Sequence, residues 1–114
     1  MIMPDRIQLR RTKGWRMPPN TVKVDRSTQW GNPFTVADAI SVAYVRPENA
    51  AQFVVNCFAD WLRGDRQNWL GAESDKAAAA ILARMPDLRG KNLACWCKPG
   101  DPCHADVLLD LANQ

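Results

Sequence analysis

The sequence predicts an α/β fold: a small mixed or mostly parallel sheet covered by helices, in a Rossmann-like arrangement of two or three layers. Three observations favour this class. The 114 residues suffice for one hydrophobic core but not two, so a single domain over residues 1–114 is expected. Hydrophobic residues make up 46% of the chain, as in ordinary folded domains. Strand-like segments lie near both ends, with helix-like segments between them.

Two short segments near the N-terminus are predicted to be strands. Residues 6–12 alternate weakly between apolar and polar side chains, and residues 21–26 (TVKVDR) alternate clearly. Residues 14–20 between them contain two prolines and are predicted to form a turn. The WGNPF segment at residues 30–34 is predicted to be an ordered loop, because Pro33 lacks an N–H donor and restricts the residue before it.

Three helices are predicted in the middle of the chain. The first is predicted over residues 35–45. The second is predicted over residues 48–64, which carry apolar side chains every four residues and end at a glycine suited to a helix C-terminus. Residues 74–85 begin with a serine suited to capping and end before a proline. A turn containing Gly71 is expected to join the last two helices.

The C-terminal part of the chain predicts a strand, a loop and a helix. Residues 92–97 (NLACWC) are apolar on both faces, which indicates a central strand. Asp101 is a suitable helix N-cap and Pro102 a suitable first helical residue, so Cys103 and His104 are expected at the second and third helical positions. In α/β sheets, ligands bind where such strands end and such helices begin.

Three cysteines and the single histidine of the chain fall near this junction. Alternation along the strand places Cys95 and Cys97 on one face and Trp96 on the other, and Cys103 and His104 are expected to point towards the core. The two pairs can therefore converge. Three interpretations stay open: buried structural thiols, a zinc site formed by all four residues, or a reactive Cys103 activated by the helix N-terminus.

The candidate catalytic residues are Cys103, His104 and Asp106. Imidazole-based acid–base chemistry has to use His104, and its neighbouring position does not let it act simply on Cys103. Asp106 points elsewhere but can reach the rim of the site as a base. The alternative for His104 is a histidine that hydrogen-bonds the preceding loop.

The WGNPF loop carries the first set of candidate ligand-binding residues. Trp30 and Phe34 can stack a base, Gly31 lets a ligand approach the backbone, and Asn32 can bond a base edge or a ribose. Arg26, just upstream, can pair with a phosphate through two hydrogen bonds. The alternative is that the two aromatic rings form a hydrophobic plug at one end of the sheet.

The second set lies in the basic N-terminal segment. Residues 1–30 hold seven basic and two acidic side chains, whereas the rest of the chain is slightly acidic. Arg11, Lys13 and Arg16 flank Trp15, a pattern that suits a nucleotide phosphate, single-stranded nucleic acid or a solvated strand edge. The sequence lacks the glycine-rich phosphate loops of ordinary ATPases and dinucleotide enzymes.

Residues 13–34 and 93–108 resemble KGWRxPxNTVxVxRxTxWGNPF and LACWCxPxxPCHADVL, two motifs of a small family of uncharacterised domains from bacteria and phages. The resemblance covers nearly the whole chain. It implies no established activity, but it supports the idea that the two motifs form one site.

The leading functional hypothesis is a cleft between the basic N-terminal strands, the WGNPF loop and the last helix. There the protein would bind a phosphate-bearing, nucleotide-derived small molecule, and hydrolysis or transfer of that molecule is left open. Non-catalytic sequestration of a nucleotide signal and a zinc-stabilised nucleic-acid-binding module are the alternatives, and a homodimer formed through exposed aromatic residues is a third. No cofactor other than that zinc ion is expected. The chain lacks an apolar run of about 20 residues, so a cytoplasmic protein without membrane contact is expected.

Overall fold

The computed structural model describes residues 4–65 and 72–114. Three short strands occur in this part of the chain: β1 (Arg6–Gln8), β2 (Thr21–Lys23) and β3 (Asn92–Cys95). The helices are α1 (Val36–Ser41), α2 (Pro47–Leu62), α3 (Ala72–Arg84) and α4 (His104–Ala112), and a 3₁₀ turn (Met85–Leu88) follows α3. The predicted α/β class is confirmed, and the Gly71 turn lies outside the described residues.

The three strands form a parallel sheet in the order β1, β3, β2. In the register of this sheet, Arg6 lies opposite Leu93 and Thr21 opposite Asn92. The prediction that the C-terminal strand is central is confirmed. Residues 9–20 cross from one edge of the sheet to the other, because β1 and β2 pair with opposite sides of β3.

All three strands are shorter than predicted, because the hydrogen-bond ladders stop where β3 stops. Leu9 donates to the Cys95 carbonyl at 2.8 Å, and Val24 donates to the Ala94 carbonyl at 2.9 Å. Beyond these bonds the chain leaves the sheet on both sides. Residues 24–26 and 96–97, predicted as strand, are therefore free to form the walls of a cleft.

Helix α2 supplies most of the helical part of the core. Its buried side chains repeat every three or four residues, as the sequence predicts: Ala50, Val54, Cys57, Phe58, Trp61 and Leu62. Helix α1 is shorter than predicted because the chain turns at Tyr44, whose φ of 56° is left-handed. Among the described residues, no helix is long and apolar enough to span a membrane.

The start of α4 differs from the prediction. Asp101 is not the N-cap: its N–H donates to the Lys98 carbonyl at 3.1 Å, so it closes the turn after β3. Cys103 is the N-cap, with extended backbone angles, and His104 is the first helical residue. The turn forms in place of an Asp101 cap because Gly100 adopts a φ of 87°, a left-handed conformation that costs glycine little.

Candidate functional site

A cleft of about 510 Å³ opens at the carboxyl ends of β2 and β3. The chain leaving β2, the chain leaving β3, helix α2 and the start of α4 form its walls. Polar and reactive side chains among its lining residues include Asp25, Arg26, Trp96, Cys97 and His104. This is the position at which parallel α/β sheets commonly bind ligands.

The floor of the cleft brings the two Cys-containing pairs together. Ligand atoms of Cys95, Cys103 and His104 all lie within 4.8 Å of one another. The Cys97 sulfur lies 3.9 Å from the Cys95 sulfur, and the Cys103 sulfur lies 4.0 Å from His104 Nδ1. None of the cysteines is in a disulfide. The end of β3 and the start of α4 thus bring two thiols and the imidazole together, with the Cys97 thiol beside Cys95.

His104 is buried and has a fixed orientation. Its Nε2 lies 2.6 Å from the Val24 carbonyl oxygen, and its ring meets the Phe58 ring edge-on at 5.4 Å. A carbonyl oxygen can only accept, so Nε2 carries the proton and Nδ1 presents a lone pair to the thiols. The histidine therefore bonds the end of β2 and not the loop before α4.

Hydrogen bonds within the cluster shift the pKa values of the Cys95 and Cys103 thiols in opposite directions. Hydrogen bonds from Cys103 and Cys97 lower the pKa of the Cys95 thiol, because S–H donors stabilise a thiolate. The same contact with Cys95 raises the pKa of Cys103, and Cys103 is 1% exposed. The interpretation of Cys103 as a reactive thiol stays a prediction.

Asp25 and Trp96 form a pair on the cleft wall that the sequence did not single out. Trp96 Nε1 donates to Asp25 Oδ2 at 2.8 Å, and Ser27 Oγ donates to Asp25 Oδ1 at 2.5 Å. The guanidinium of Arg11 lies 4.7 Å from the centre of the Trp96 ring. Strand alternation assigned Trp96 to the face opposite the cysteines, but β3 ends at Cys95, so alternation does not extend to it.

The aromatic rings of the WGNPF loop lie in the hydrophobic core. Trp30 and Phe34 are both buried, and the Phe34 ring meets the Trp61 ring edge-on at 6.0 Å. They do not contribute to the lining of the cleft. Their placement corresponds to the plug alternative, and their role in stacking a base stays a prediction.

The polar residues of the loop hold its backbone. Asn32 Nδ2 donates to the Val54 carbonyl, and Asn32 Oδ1 accepts from the Phe34 N–H, both at 2.9 Å. Arg26 donates to the carbonyls of Asn32 and Phe34. A Cβ on Gly31 would lie 2.6 Å from the Arg26 Cα, so this glycine allows the loop to approach the chain leaving β2.

One family model matches residues 7–114, a domain of unknown function designated DUF4326. The chain belongs to this family. The resemblance seen in the sequence is thereby confirmed at the level of an uncharacterised domain family. No curated protein and no solved structure matches the chain.

The DUF4326 chain leaves the other predicted site residues outside the cleft lining. Lys13 and Arg16 are exposed. Asp106 accepts from Arg6 at 3.0 Å, and Arg6 also donates to the carbonyls of Lys98 and Asp101. This arginine ties β1 to the loop before α4. Of the residues predicted for catalysis, ligand binding or zinc, the cleft lining contains Arg26, Asn32, Cys95, Cys97, Cys103 and His104.

We expect the stability of this DUF4326 domain to depend on pH through the carboxylate of Asp25. Burial by itself would raise the Asp25 pKa, but hydrogen bonds from Ser27 and Trp96 and the charge of Lys23 hold it below its ordinary value of 3.8. Because the pKa is lower in the folded state than in the unfolded state, the ionised carboxylate stabilises the fold above pH 3.8. This stabilisation is lost as the pH falls through the folded-state pKa.

We expect Asp25→Asn to lower the free energy of unfolding at pH 7 by about 1.5–3 kcal/mol, the range for hydrogen bonds to a charged group. Urea unfolding between pH 7 and pH 2 should show a steeper loss of stability below about pH 4 for the wild type than for Asp25→Asn. The control is Asp38→Asn, at an exposed position, which should keep the wild-type slope. Equal acid slopes for Asp25→Asn and the wild type would contradict the prediction.

Proposed function

We propose that this DUF4326 domain binds a phosphate-bearing, nucleotide-derived small molecule in the cleft at the carboxyl ends of β2 and β3. One observation carries the proposal: the cleft combines the half-exposed indole of Trp96 with the side chain of Arg26, and the guanidinium of Arg11 lies over the indole. Its volume of about 510 Å³ falls within the range of about 300–1,000 Å³ that is usual for small-molecule sites.

Trp96 supplies an aromatic surface for the base. Its side chain is 41% exposed although it is held at one edge by Asp25 and on one face by Arg11. A ring that is already fixed loses little conformational entropy when a base stacks on it. Stacking on an aromatic side chain contributes about 1–3 kcal/mol per base, so Trp96 is the main candidate for base recognition.

Arginine side chains supply the positive charge for a phosphate. Arg26 lines the cleft and donates to two backbone carbonyls, which are neutral partners. Within residues 4–65 and 72–114, no carboxylate forms an ion pair with it at 4.0 Å or less. The Asp25 carboxylate in the same cleft is occupied by Ser27 and Trp96 and lies 3.8 Å from Lys23 Nζ. The cleft therefore favours an anion near Arg26.

Binding is the part of the hypothesis that the geometry supports best. Hydrolysis or transfer needs an acid and a base placed around the reacting atom. His104 has Nε2 engaged with a carbonyl and Nδ1 facing thiols, and Asp106 is paired with Arg6. Sequestration of a nucleotide without turnover is thus the form of the proposal that uses the observed contacts.

The test is a calorimetric titration of the protein with ADP, AMP, inorganic phosphate and adenosine. We expect ADP and AMP to bind and uncharged adenosine to bind at least about tenfold more weakly, a difference of about 1.4 kcal/mol. Trp96→Ala should weaken ADP binding by about 5- to 150-fold, from the lost stacking. Chromatography of the mixture after incubation tests for turnover.

Two further variants make this titration specific. Arg11→Ala removes the cation on the Trp96 ring and should weaken ADP binding, whereas Arg84→Ala is the matched control. Arg84 lies at the end of α3 and pairs with Asp87, and it is not a cleft-lining residue. Failure of both nucleotides to bind, equal affinity for ADP and adenosine, or full affinity in Trp96→Ala would each refute the proposal.

A further inference from the structure

The thiols and the imidazole at the floor of the cleft are placed for a metal ion. We propose that Cys95, Cys97, Cys103 and His104 form a tetrahedral zinc site. The proposal is independent of nucleotide binding, because it rests on these four side chains and their supports alone. It assigns the site a structural role: the ion would join the end of β3 to the start of α4.

The distances between the ligand atoms fit one ion. Zinc binds sulfur at about 2.3 Å and nitrogen at about 2.0–2.1 Å, so a tetrahedron places two sulfurs about 3.8 Å apart and a sulfur and a nitrogen about 3.6 Å apart. The Cys95 and Cys97 sulfurs are 3.9 Å apart, and the Cys103 sulfur is 4.0 Å from His104 Nδ1. The ligand atoms of Cys95, Cys103 and His104 all lie within 4.8 Å of one another, so shifts of up to about 1 Å would bring these three to tetrahedral spacing. The Cys97 sulfur, beside Cys95, would move in as the fourth ligand.

His104 has the arrangement of a metal ligand with its outer support in place. Metal-binding histidines commonly donate their other ring N–H to a carbonyl or a carboxylate, which fixes the ring and its tautomer. Here Nε2 donates to the Val24 carbonyl at 2.6 Å, and the Phe58 ring packs against the imidazole. The lone pair of Nδ1 therefore points at the thiols without any change of rotamer.

The backbone of the ligand residues Cys95 and Cys103 is already held by hydrogen bonds. The Cys95 carbonyl accepts from Leu9 in the sheet, and the Cys103 carbonyl accepts the first helical bond of α4 from Asp106. Binding would deprotonate the three thiols and release their protons to solvent. The resulting net negative charge would lie beside the N-terminus of α4, which favours anions.

The chemistry of the donors selects the ion. Three thiolates and one imidazole are soft and borderline ligands that suit zinc, whereas magnesium and calcium prefer oxygen. The alternative is a set of thiols that simply fill the core. Cys57 provides the internal comparison, because it is buried in α2 and stands apart from the cluster.

The experiment measures zinc directly in the full chain. The protein is purified from zinc-supplemented medium, and native mass spectrometry is combined with elemental analysis. We expect one zinc ion per chain in the wild type and in the matched Cys57→Ser control. Cys97→Ser changes a half-buried residue and should fold, and its zinc affinity should fall by more than about tenfold.

Cobalt provides a second measurement that reports the ligands. Titration of metal-free protein with Co²⁺ should give a thiolate-to-cobalt charge-transfer band and the intense visible bands of a tetrahedral site. Cys97→Ser should weaken the charge-transfer band, and Cys57→Ser should preserve it. Absence of zinc and of the charge-transfer band in the wild type would overturn the proposal. Equal zinc affinity in Cys97→Ser and the wild type, or loss of zinc in Cys57→Ser, would also overturn it.

Discussion

The Phe58→Ala variant is expected to unfold with a free energy about 3–5 kcal/mol below that of the wild type, the usual cost of truncating a buried phenylalanine. Phe58 is 0% exposed. Its ring lies 6.0 Å from the Trp61 ring and 5.4 Å from the His104 ring. Removing it leaves a cavity beside the imidazole, so the change reaches the floor of the cleft as well as the core.

Urea or guanidinium unfolding followed by circular dichroism measures this loss. Tyr44→Ala is the control for removal of an aromatic ring, because Tyr44 is 87% exposed, and it should change stability by less than about 0.5 kcal/mol. A Phe58→Ala loss below about 1 kcal/mol would show that the ring does not occupy the core as described.

The Asn32→Ala variant is expected to have a free energy of unfolding about 2–6 kcal/mol below that of the wild type. Asn32 is 4% exposed, and its amide links the Val54 carbonyl of α2 to the Phe34 N–H of the WGNPF loop. Alanine would leave a buried acceptor and a buried donor without these partners, at about 1–3 kcal/mol for each group. The same change should detach the loop from α2.

Chemical unfolding measures the total effect, and hydrogen exchange at the Phe34 amide measures the local one. Asn56→Ala, on the helix α2 that Asn32 contacts, is the matched control. Asn56 is exposed and bonds Gln52, so its loss should stay within about 0.5 kcal/mol. Unchanged exchange at Phe34 in Asn32→Ala would contradict the role assigned to the amide.

The central strand and the buried face of α2 could be predicted from the sequence, because their hydrophobic patterns fit only one arrangement of the chain. A strand apolar on both faces, such as Asn92–Cys95, has to lie in the middle of a covered sheet, and it does. The apolar repeat of α2 required one buried face, and the structure buries it. These predictions succeeded because the burial of many side chains outweighs any single local preference.

The ends of the elements were harder to predict because they depend on single hydrogen bonds. The turn closed by Asp101 delays the start of α4, and a cap made by aspartate was the equally reasonable expectation. Because β3 ends at Cys95, strand alternation did not predict that Trp96 lines the same cleft as the cysteines. Sequence patterns average over several residues and do not resolve such competition.

The contacts within the candidate site could be predicted only in part. Spacing alone placed the two Cys-containing pairs on elements that meet, and the structure brings them together. The bonds of Arg26 to loop carbonyls and of Asn32 to the Val54 carbonyl of α2 could not be predicted, because side-chain to backbone bonds over 6 to 22 residues leave no periodic signal. Asp25 and Trp96 escaped notice for the same reason, since 71 residues separate them.

The order of the strands in the sheet has a consequence for synthesis of the chain. Both outer strands, β1 and β2, are synthesised before β3, the strand with which each of them pairs. Near the strand ends, Asp5 bonds Asn92 across 87 residues, and Asn20 bonds Gly90 across 70. Contacts this distant slow folding, because the entropy of closing a long loop comes before any gain. While the ribosome is still translating the helices, the N-terminal strands have no β3 to pair with, and nascent-chain cleavage by a protease should remain easy until β3 has emerged.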